Sequence, residues 1–228
     1  MDTRNDRKPY WKWDNDNGNM GNLYNRLLRR GLFAPYIDGE PNETFLAWYP
    51  MEVINGNSGY NKKRYSNYGI NVALQYDTPF IKGLSLKLSY NRYERHTFIK
   101  RFSRPYDLYV FKTTGTHNHI PTNEIDYVKT RDDGEFLYEK YNNDNSYQLN
   151  AMVTYNKTFG KHDINALFVY EQYEDTNDWL DGQRNYFISS AVDQIFAGSS
   201  DPKNSTLNGS GSEGGRLSYV GRQGYTYD

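Results

Sequence analysis

The chain has 228 residues, which is enough for one ordinary domain and marginal for two. Its 27 Lys and Arg are balanced by 28 Asp and Glu, and this formal net charge of -1 argues against a nucleic-acid partner and against a polyanionic tail. Cysteine is absent, which excludes disulfide scaffolds and cysteine-based metal or nucleophile chemistry.

The residue types predict β-structure with largely polar, hydrated surfaces. Apolar residues make up only 36% of the chain, whereas soluble domains usually contain about 45–50%. Aromatic residues reach 17%, with 23 tyrosines, which is unlike a disordered chain. A barrel with a polar lumen has this composition because only its outward face must be apolar. Some carbohydrate-binding β-sandwiches share it.

Helical membrane segments are not predicted. No stretch approaches ~18 consecutive apolar residues, so a transmembrane helix is excluded. The first residues, MDTRNDR, lack the apolar region of a signal peptide.

Residues 1–65 are predicted to be an extracellular loop region with one short helix. Residues 22–30 have a capping residue, Asn22, a shared leucine face and a terminating Gly31. The rest of this region is rich in Gly, Asn and Pro. Residues 66–228 are predicted to form a second unit, a partial β-barrel domain whose strands are described next.

The first clear alternation of apolar and polar residues lies in residues 68–76. One face carries Tyr68, Ile70, Val72, Leu74 and Tyr76. This pattern predicts a strand, and its tyrosines bracket an aliphatic centre as they do in lipid-facing strands of about 9–11 residues. A turn with Pro79 and Gly83 follows. The next strand then presents Leu84, Leu86, Leu88 and Tyr90.

A second hairpin repeats this plan. Its first strand presents Tyr147, Leu149, Ala151, Val153 and Tyr155 on one face, and its second presents Ile164, Ala166, Phe168 and Tyr170. A short link that contains Gly160 joins them. A fifth strand is predicted to start at Arg216 and to present Leu217, Tyr219, Tyr225 and Tyr227, with Gln223 on the same face.

Long polar segments separate these hairpins. Residues 95–145 and 174–215 are predicted to be long loops, and the Gly-rich residues 209–215 a flexible part of the second. Short turns alternating with long loops are typical of outer-membrane barrels. The predicted fold is therefore all-β: an antiparallel transmembrane β-barrel segment, about five strands of a larger barrel, with long extracellular loops.

Several segments resemble the SusC/RagA family of TonB-dependent outer-membrane transporters. Residues 209–222, GSGSEGGRLSYVGR, are similar to a barrel motif of that family, and residues 155–163, YNKTFGKHD, to one of its hairpins. Residues 76–84, YDTPFIKGL, and 102–106, FSRPY, resemble a further hairpin and its loop. The resemblance extends from about residue 35 to the end, and the order of the motifs is more specific than any one of them.

The resemblance implies a role in nutrient import across the outer membrane of a Gram-negative bacterium. Members of the family take up glycans or peptides together with a SusD-like surface lipoprotein, and TonB acts on a plug inside the barrel. The family barrel has about 22 strands. Because about five strands cannot close, we expect this chain to be a fragment without the plug, the TonB-contacting segment and the signal peptide.

Two groups of residues are candidates for function. Glu213, Arg216, Tyr219, Gly221 and Arg222 belong to the family motif, and we expect them to have a structural role in the barrel wall, with Glu213, Arg216 and Arg222 as a lumen charge network. Aromatic side chains in the predicted loops can stack on sugars or fill partner interfaces. Those chosen as substrate or partner contacts are Trp48, Trp179, Tyr106 and Tyr109.

No cofactor or metal is predicted. Asp14-Asn15-Asp16-Asn17-Gly18 resembles a calcium loop, but the twelfth position is Asn25 and not the Glu of an EF-hand, so loop calcium stays only an alternative. His117 and His119 are interpreted as residues of a solvated loop.

Two functions from different classes remain open. The first is the barrel portion of a SusC-like transporter, and the second is a soluble or surface-attached β-rich carbohydrate-binding module. The repeated Tyr-bracketed apolar faces favour the transporter. An enzyme is not expected, because no catalytic constellation stands out.

Overall fold

The computed structural model describes residues 2–12, 35–43, 50–132 and 134–228. The elements are β1 (Asp2–Pro9), β2 (Tyr36–Ile37), β3 (Glu40–Pro41), α1 (Pro50–Ile54), β4 (Gly59–Asp77), β5 (Leu84–Ser103), β6 (Tyr106–Thr114), β7 (Ile120–Arg131), β8 (Phe136–Phe159), β9 (His162–Asn185) and β10 (Ser205–Tyr227). Two 3-10 turns, Ile195–Ala197 and Pro202–Asn204, precede β10.

Six strands form one antiparallel sheet in the order β1-β4-β5-β8-β9-β10. The strand pairs β2–β3 and β6–β7 form separate hairpins. This architecture confirms the predicted all-β, antiparallel fold. The sheet is open, and β1 and β10 are its edges among the described strands.

The short turns lie together at one end of the sheet, as predicted. One connects β4 to β5, and the other, at Gly160, connects β8 to β9. Gly83 closes the first turn with φ of 92°, and a Cβ there would lie 2.1 Å from the Asn156 carbonyl oxygen. Only glycine tolerates both the backbone conformation and this close approach. The ends with short and with long connections are called the turn end and the loop end.

The strands are much longer at the loop end than the sequence predicts. Residues 95–145, predicted to be a loop, contain the end of β5, the hairpin β6–β7 and the start of β8. The prediction failed because it followed apolar alternation, whereas this part of the sheet is polar on one face and covered on the other. Paired backbone groups hold such strands without an apolar stripe.

The second predicted loop, residues 174–215, is also mostly strand. β9 continues to Asn185, and β10 begins at Ser205 and not at Arg216. The Gly-rich residues 209–215 are part of β10 and pair with β9, whose acidic side chains occupy the space beside two of these glycines. A Cβ on Gly211 would lie 2.6 Å from Asp178 Oδ1, and one on Gly214 would lie 2.8 Å from Asp175 Oδ1.

The N-terminal region is also not purely loop. β1 and the first residues of β4 belong to the main sheet, so the predicted boundary between residues 65 and 66 falls within β4. The short helix that the structure describes is α1. The helix predicted at residues 22–30, the calcium-like loop at residues 14–18 and Trp48 lie outside the described residues.

The connection at residues 186–204 folds back over one face of the sheet near its loop end. Its residues Phe187 and Ala197 are buried with Phe102 and Leu137 of the sheet, and the Phe102 and Phe187 rings are 5.5 Å apart. Leu137 is fully buried, at 0% exposure. Among the described residues, a second small core packs Tyr106 and Leu108 of β6 against Tyr36 of β2 and Met51 of α1.

Polar contacts fasten the same connection. The Tyr60 hydroxyl donates a hydrogen bond to the Asp193 carboxylate, and Lys100 Nζ donates to the Asp193 carbonyl oxygen. Lys100 also lies 3.2 Å from Glu139. Burial, and then the hydrogen bond to Asp193, raise the pKa of Tyr60 well above its usual range. The tyrosine therefore remains a donor at physiological pH.

Phe187→Ala is expected to detach residues 186–204 from the sheet. Removing a buried phenylalanine ring typically costs about 3–5 kcal/mol. Limited proteolysis should cut this connection much faster in the variant. Ile188→Ala is the matched control, since the neighbouring Ile188 is 94% exposed and its removal should leave the cleavage rate unchanged. Equal cleavage of both variants would contradict the assigned core.

Candidate functional site: the two faces of the sheet

The strand register places most apolar residues of five strands on one face, and Met152, Leu167, Val169 and Val220 are exceptions on the other. Directly paired residues on neighbouring antiparallel strands point to the same side. One row across the sheet therefore joins Leu74, Leu88, Ala151, Tyr170 and Tyr219. The whole set, called the apolar band, comprises Tyr68, Ile70, Val72, Leu74, Tyr76, Leu84, Leu86, Leu88, Tyr90, Tyr147, Leu149, Ala151, Val153, Tyr155, Ile164, Ala166, Phe168, Tyr170, Leu217, Tyr219, Tyr225 and Tyr227.

The centre of the band is open to its surroundings. Leu74 is 66% exposed, Ile70 59% and Tyr219 64%. Soluble monomers rarely expose contiguous apolar patches of more than a few hundred Å². A face that carries such residues on five adjacent strands requires an apolar partner or solvent.

The band runs obliquely across the strands. Its centre on β4 is Val72, and its centre on β10 is at residue 222, which lies in the same row as Asp77. The centre therefore moves from residue 72 to residue 77 in β4 numbering over four strand steps. At ~3.3 Å per residue and ~4.8 Å per strand, the band is inclined by ~40° to the perpendicular of the strands. If the band were level, the strands would be tilted from the vertical by the same angle. Strands of membrane barrels are tilted by about 35–45°.

The opposite face, called the polar face, carries a hydrogen-bonded network at the level of the band. Gln148 Nε2 donates to Glu171 Oε2 at 3.0 Å, and Arg216 Nη2 donates to Glu171 Oε1 at 2.5 Å. Asn150 Nδ2 continues the network to Ser89 Oγ at 3.4 Å. The sequence alone did not identify this network, although the polar members of the alternating runs were its signal.

The motif residues of β10 separate between the two faces. Arg216 and Arg222 lie on the polar face, and Arg216 pairs with Glu171. Glu213 lies on the opposite face, so the three do not form the predicted charge network. Tyr219 packs against Tyr170, with ring centroids 5.6 Å apart, and Gly221 lies opposite Phe168.

Trp179 lies on the polar face, beyond the band toward the loop end. It is half-buried, and Lys140 Nζ is 4.4 Å from its ring centre. Nearby on the same face, the Tyr138 hydroxyl donates to Asp181 at 3.3 Å, as does Asn208 Nδ2 at 3.2 Å. This group is called the upper polar wall. Sequence reasoning found Trp179 but missed its neighbours, because it assigned them to loops.

The two tyrosines predicted as contact residues have different surroundings. Tyr106 is 8% exposed and packs with Leu108, so its place supports a role in packing. Tyr109 borders an open pocket of about 480 Å³ that lies between the β2–β3 hairpin, β6 and α1. The charge of Glu40 raises the pKa of Tyr109. Glu52, in the same pocket, accepts a 2.8 Å hydrogen bond from the Tyr36 hydroxyl.

The described residues contain no group of three or more His, Asp or Glu side chains that could hold a metal ion. His117 and His119 stack on each other in the turn between β6 and β7, with ring centroids 6.1 Å apart. Among the helices in the described ranges, none is long and apolar enough to cross a membrane.

Comparisons with known proteins support the fold. No protein-family model matches the sequence, and no curated protein matches it. Among solved structures, the chain is similar to the one titled "Structure of the RagAB peptide transporter", with a TM-score of 0.56 and 20% sequence identity. The match covers 74% of this chain and 16% of that one. The chain thus shares the fold of the matched part of that structure, and the match spans about one sixth of that protein's length.

Proposed function

We propose that this chain forms part of the wall of a TonB-dependent outer-membrane transporter of the SusC type. The observation that carries the proposal is the apolar band, which is exposed, bordered by tyrosines and inclined by ~40° to the perpendicular of the strands. The likeness to the RagAB peptide transporter supports the proposal, and so do the sequence motifs that resemble the SusC/RagA family.

The unpaired edges of the sheet agree with a wall inside a larger barrel. β1 pairs with β4 only as far as Asn67, so residues 68–77 of β4 have a described partner on one side alone. β10 likewise pairs only with β9 among the described strands. Unpaired backbone groups in hydrocarbon cost several kcal/mol each. The proposed barrel therefore continues with further strands beyond both edges.

The orientation follows from the two ends. Outer-membrane barrels have short periplasmic turns and long extracellular loops. The turn end would face the periplasm, and the loop end, with the extension of β5, β8, β9 and β10 beyond the band, would rise outside the cell. The polar face, with the Glu171 network, would line the lumen.

A substrate that arrives from outside the cell would contact the upper polar wall before it enters the lumen. Its aromatic rings, amides and charges suit sugar rings and peptide groups, so the substrate class is glycans or peptides. The loop end would adjoin a SusD-like lipoprotein, while TonB would act through a plug supplied outside this segment. The proposal includes no nucleic acid and no catalytic step.

Leu88→Arg is expected to destabilise the full-length protein in a lipid bilayer by about 2–4 kcal/mol, because the side chain lies in the middle of the band. The measurement is the free energy of unfolding in vesicles. Asn91→Arg, on the polar face of the same strand, is the control and should have little effect. A soluble module would contradict the proposal: it would tolerate Leu88→Arg, since Leu88 is 47% exposed.

Trp179→Ala is expected to reduce uptake of the cognate glycan or peptide by roughly 2–10-fold, because aromatic packing contributes about 0.5–1.5 kcal/mol beyond burial. Leu180→Ala is the control, since Leu180 neighbours Trp179 but lies on the opposite face. Uptake by cells that carry each variant gives the comparison. Equal uptake by the two variants would remove Trp179 from the substrate path.

A further inference from the structure

The two ends of the apolar face carry charges of different sign. Just beyond the band at the loop end, this face presents Arg92, Glu94, Glu174 and Glu213. Arg92 forms a 2.6 Å ion pair with Glu94, so the excess there is acidic. Just beyond the band at the turn end, the same face presents Lys157 and His162, and Lys161 lies in the turn between their strands.

The turn-end cations lie beside aromatic rings. Lys157 Nζ is 4.7 Å from the Phe159 ring centre, and Lys161 Nζ is 5.9 Å from that of Tyr227. The His162 ring stacks on Tyr225 and is tilted against Tyr227, and its Nδ1 lies 2.7 Å from the Tyr225 hydroxyl. Cations with aromatic neighbours at the edge of an apolar surface match the headgroup level of a bilayer.

Two carboxylates of the turn end point away from these cations, and a third, that of Asp228, follows β10, where the Asp228 N–H donates to the Lys161 carbonyl oxygen. Asp77 and Asp163 both lie on the polar face, where Asp163 accepts hydrogen bonds from Thr158 and Asn165 at 3.1 Å each. Within the described ranges, no ion pair joins Lys157 or Lys161 to a carboxylate. Neither lysine is therefore held in an ion pair on the side that continues the apolar band.

We infer that Lys157 and Lys161 bind the phosphate group of an anionic phospholipid in the leaflet that meets the turn end. This inference rests on the proposed membrane span and adds a ligand to it. Lysine binds phosphate as a point charge, and its long stem reaches from an apolar surface into the headgroup layer. The adjacent aliphatic residues would hold the acyl chains of the same lipid, which a free phosphate lacks.

Lipid retention by the full-length protein tests this inference. The protein is inserted into nanodiscs with equal amounts of phosphatidylglycerol and phosphatidylcholine, and the lipids it retains on stepwise detergent extraction are counted by native mass spectrometry. Each lysine is expected to raise the retention of phosphatidylglycerol over phosphatidylcholine about fivefold, and the two lysines together ~25-fold. Lys157→Gln should therefore lose about fivefold of the preference, and Lys157→Gln with Lys161→Gln should lose all of it.

Lys87→Gln is the matched control, because Lys87 lies on the polar face of the same sheet and its loss should leave the preference intact. Equal retention by the wild type and the double variant would overturn the inference. Displacement of the lipid by millimolar inorganic phosphate would also overturn it in favour of a free-phosphate site. Failure to insert into nanodiscs would defeat the membrane proposal itself, whereas insertion without lipid preference would defeat only the lysine site.

Discussion

The register of backbone hydrogen bonds between β4, β5, β8, β9 and β10 is the constraint on which the rest of the structure depends. Side chains alternate between the two faces of a strand, so a shift of one residue would exchange the apolar and polar faces. In the observed register, the row through Leu74, Leu88 and Ala151 keeps apolar side chains on one side, and in the neighbouring row only Gln172 interrupts them. The apolar band, the polar face and the charge difference between the two ends all follow from this one arrangement.

The same constraint explains why the sheet extends so far at its loop end. A strand needs about 9–11 residues to cross a bilayer, but β8 and β9 each have 24. Beyond the band toward the loop end, residues 186–204 cover the face that continues the band. Phe187 packs on it, and Asp193 is hydrogen-bonded to Tyr60 and Lys100. The uncovered polar side is where Trp179 and its hydrogen-bonded neighbours are presented. Under the proposed function, one sheet would combine a membrane wall with a substrate-contacting surface.

The sequence predicted the part of the fold that apolar alternation marks. The two hairpins, their short turns and the common face of Leu217 and Tyr219 were correctly assigned, because strands with one apolar and one polar face alternate in sequence. The strand extensions were missed, since polar residues there pair through backbone groups and leave no periodic apolar signal. The glycines of residues 209–215 looked like a flexible loop for the same reason, although they make room for the acidic side chains of β9.

The candidate site was predicted only in part, for a related reason. Trp179 stood out by its residue type, but Tyr138, Lys140 and Asp181 become its neighbours only through strand pairing. Arg216 was correctly placed on the polar face by parity. Glu213 was not, because its odd position puts it on the side of Leu217. Single residues can be chosen from a sequence, whereas their grouping requires the register.

The central claim is that the apolar band contacts lipid. Its most direct test is a nitroxide spin-label scan of residues 147–155 on β8, with the full-length protein in vesicles. The account predicts that collisions with lipid-dissolved oxygen peak at the odd positions and those with a water-soluble nickel complex at the even positions. Access of the nickel complex to every position, or a protein that remains soluble and monomeric without detergent, would contradict it.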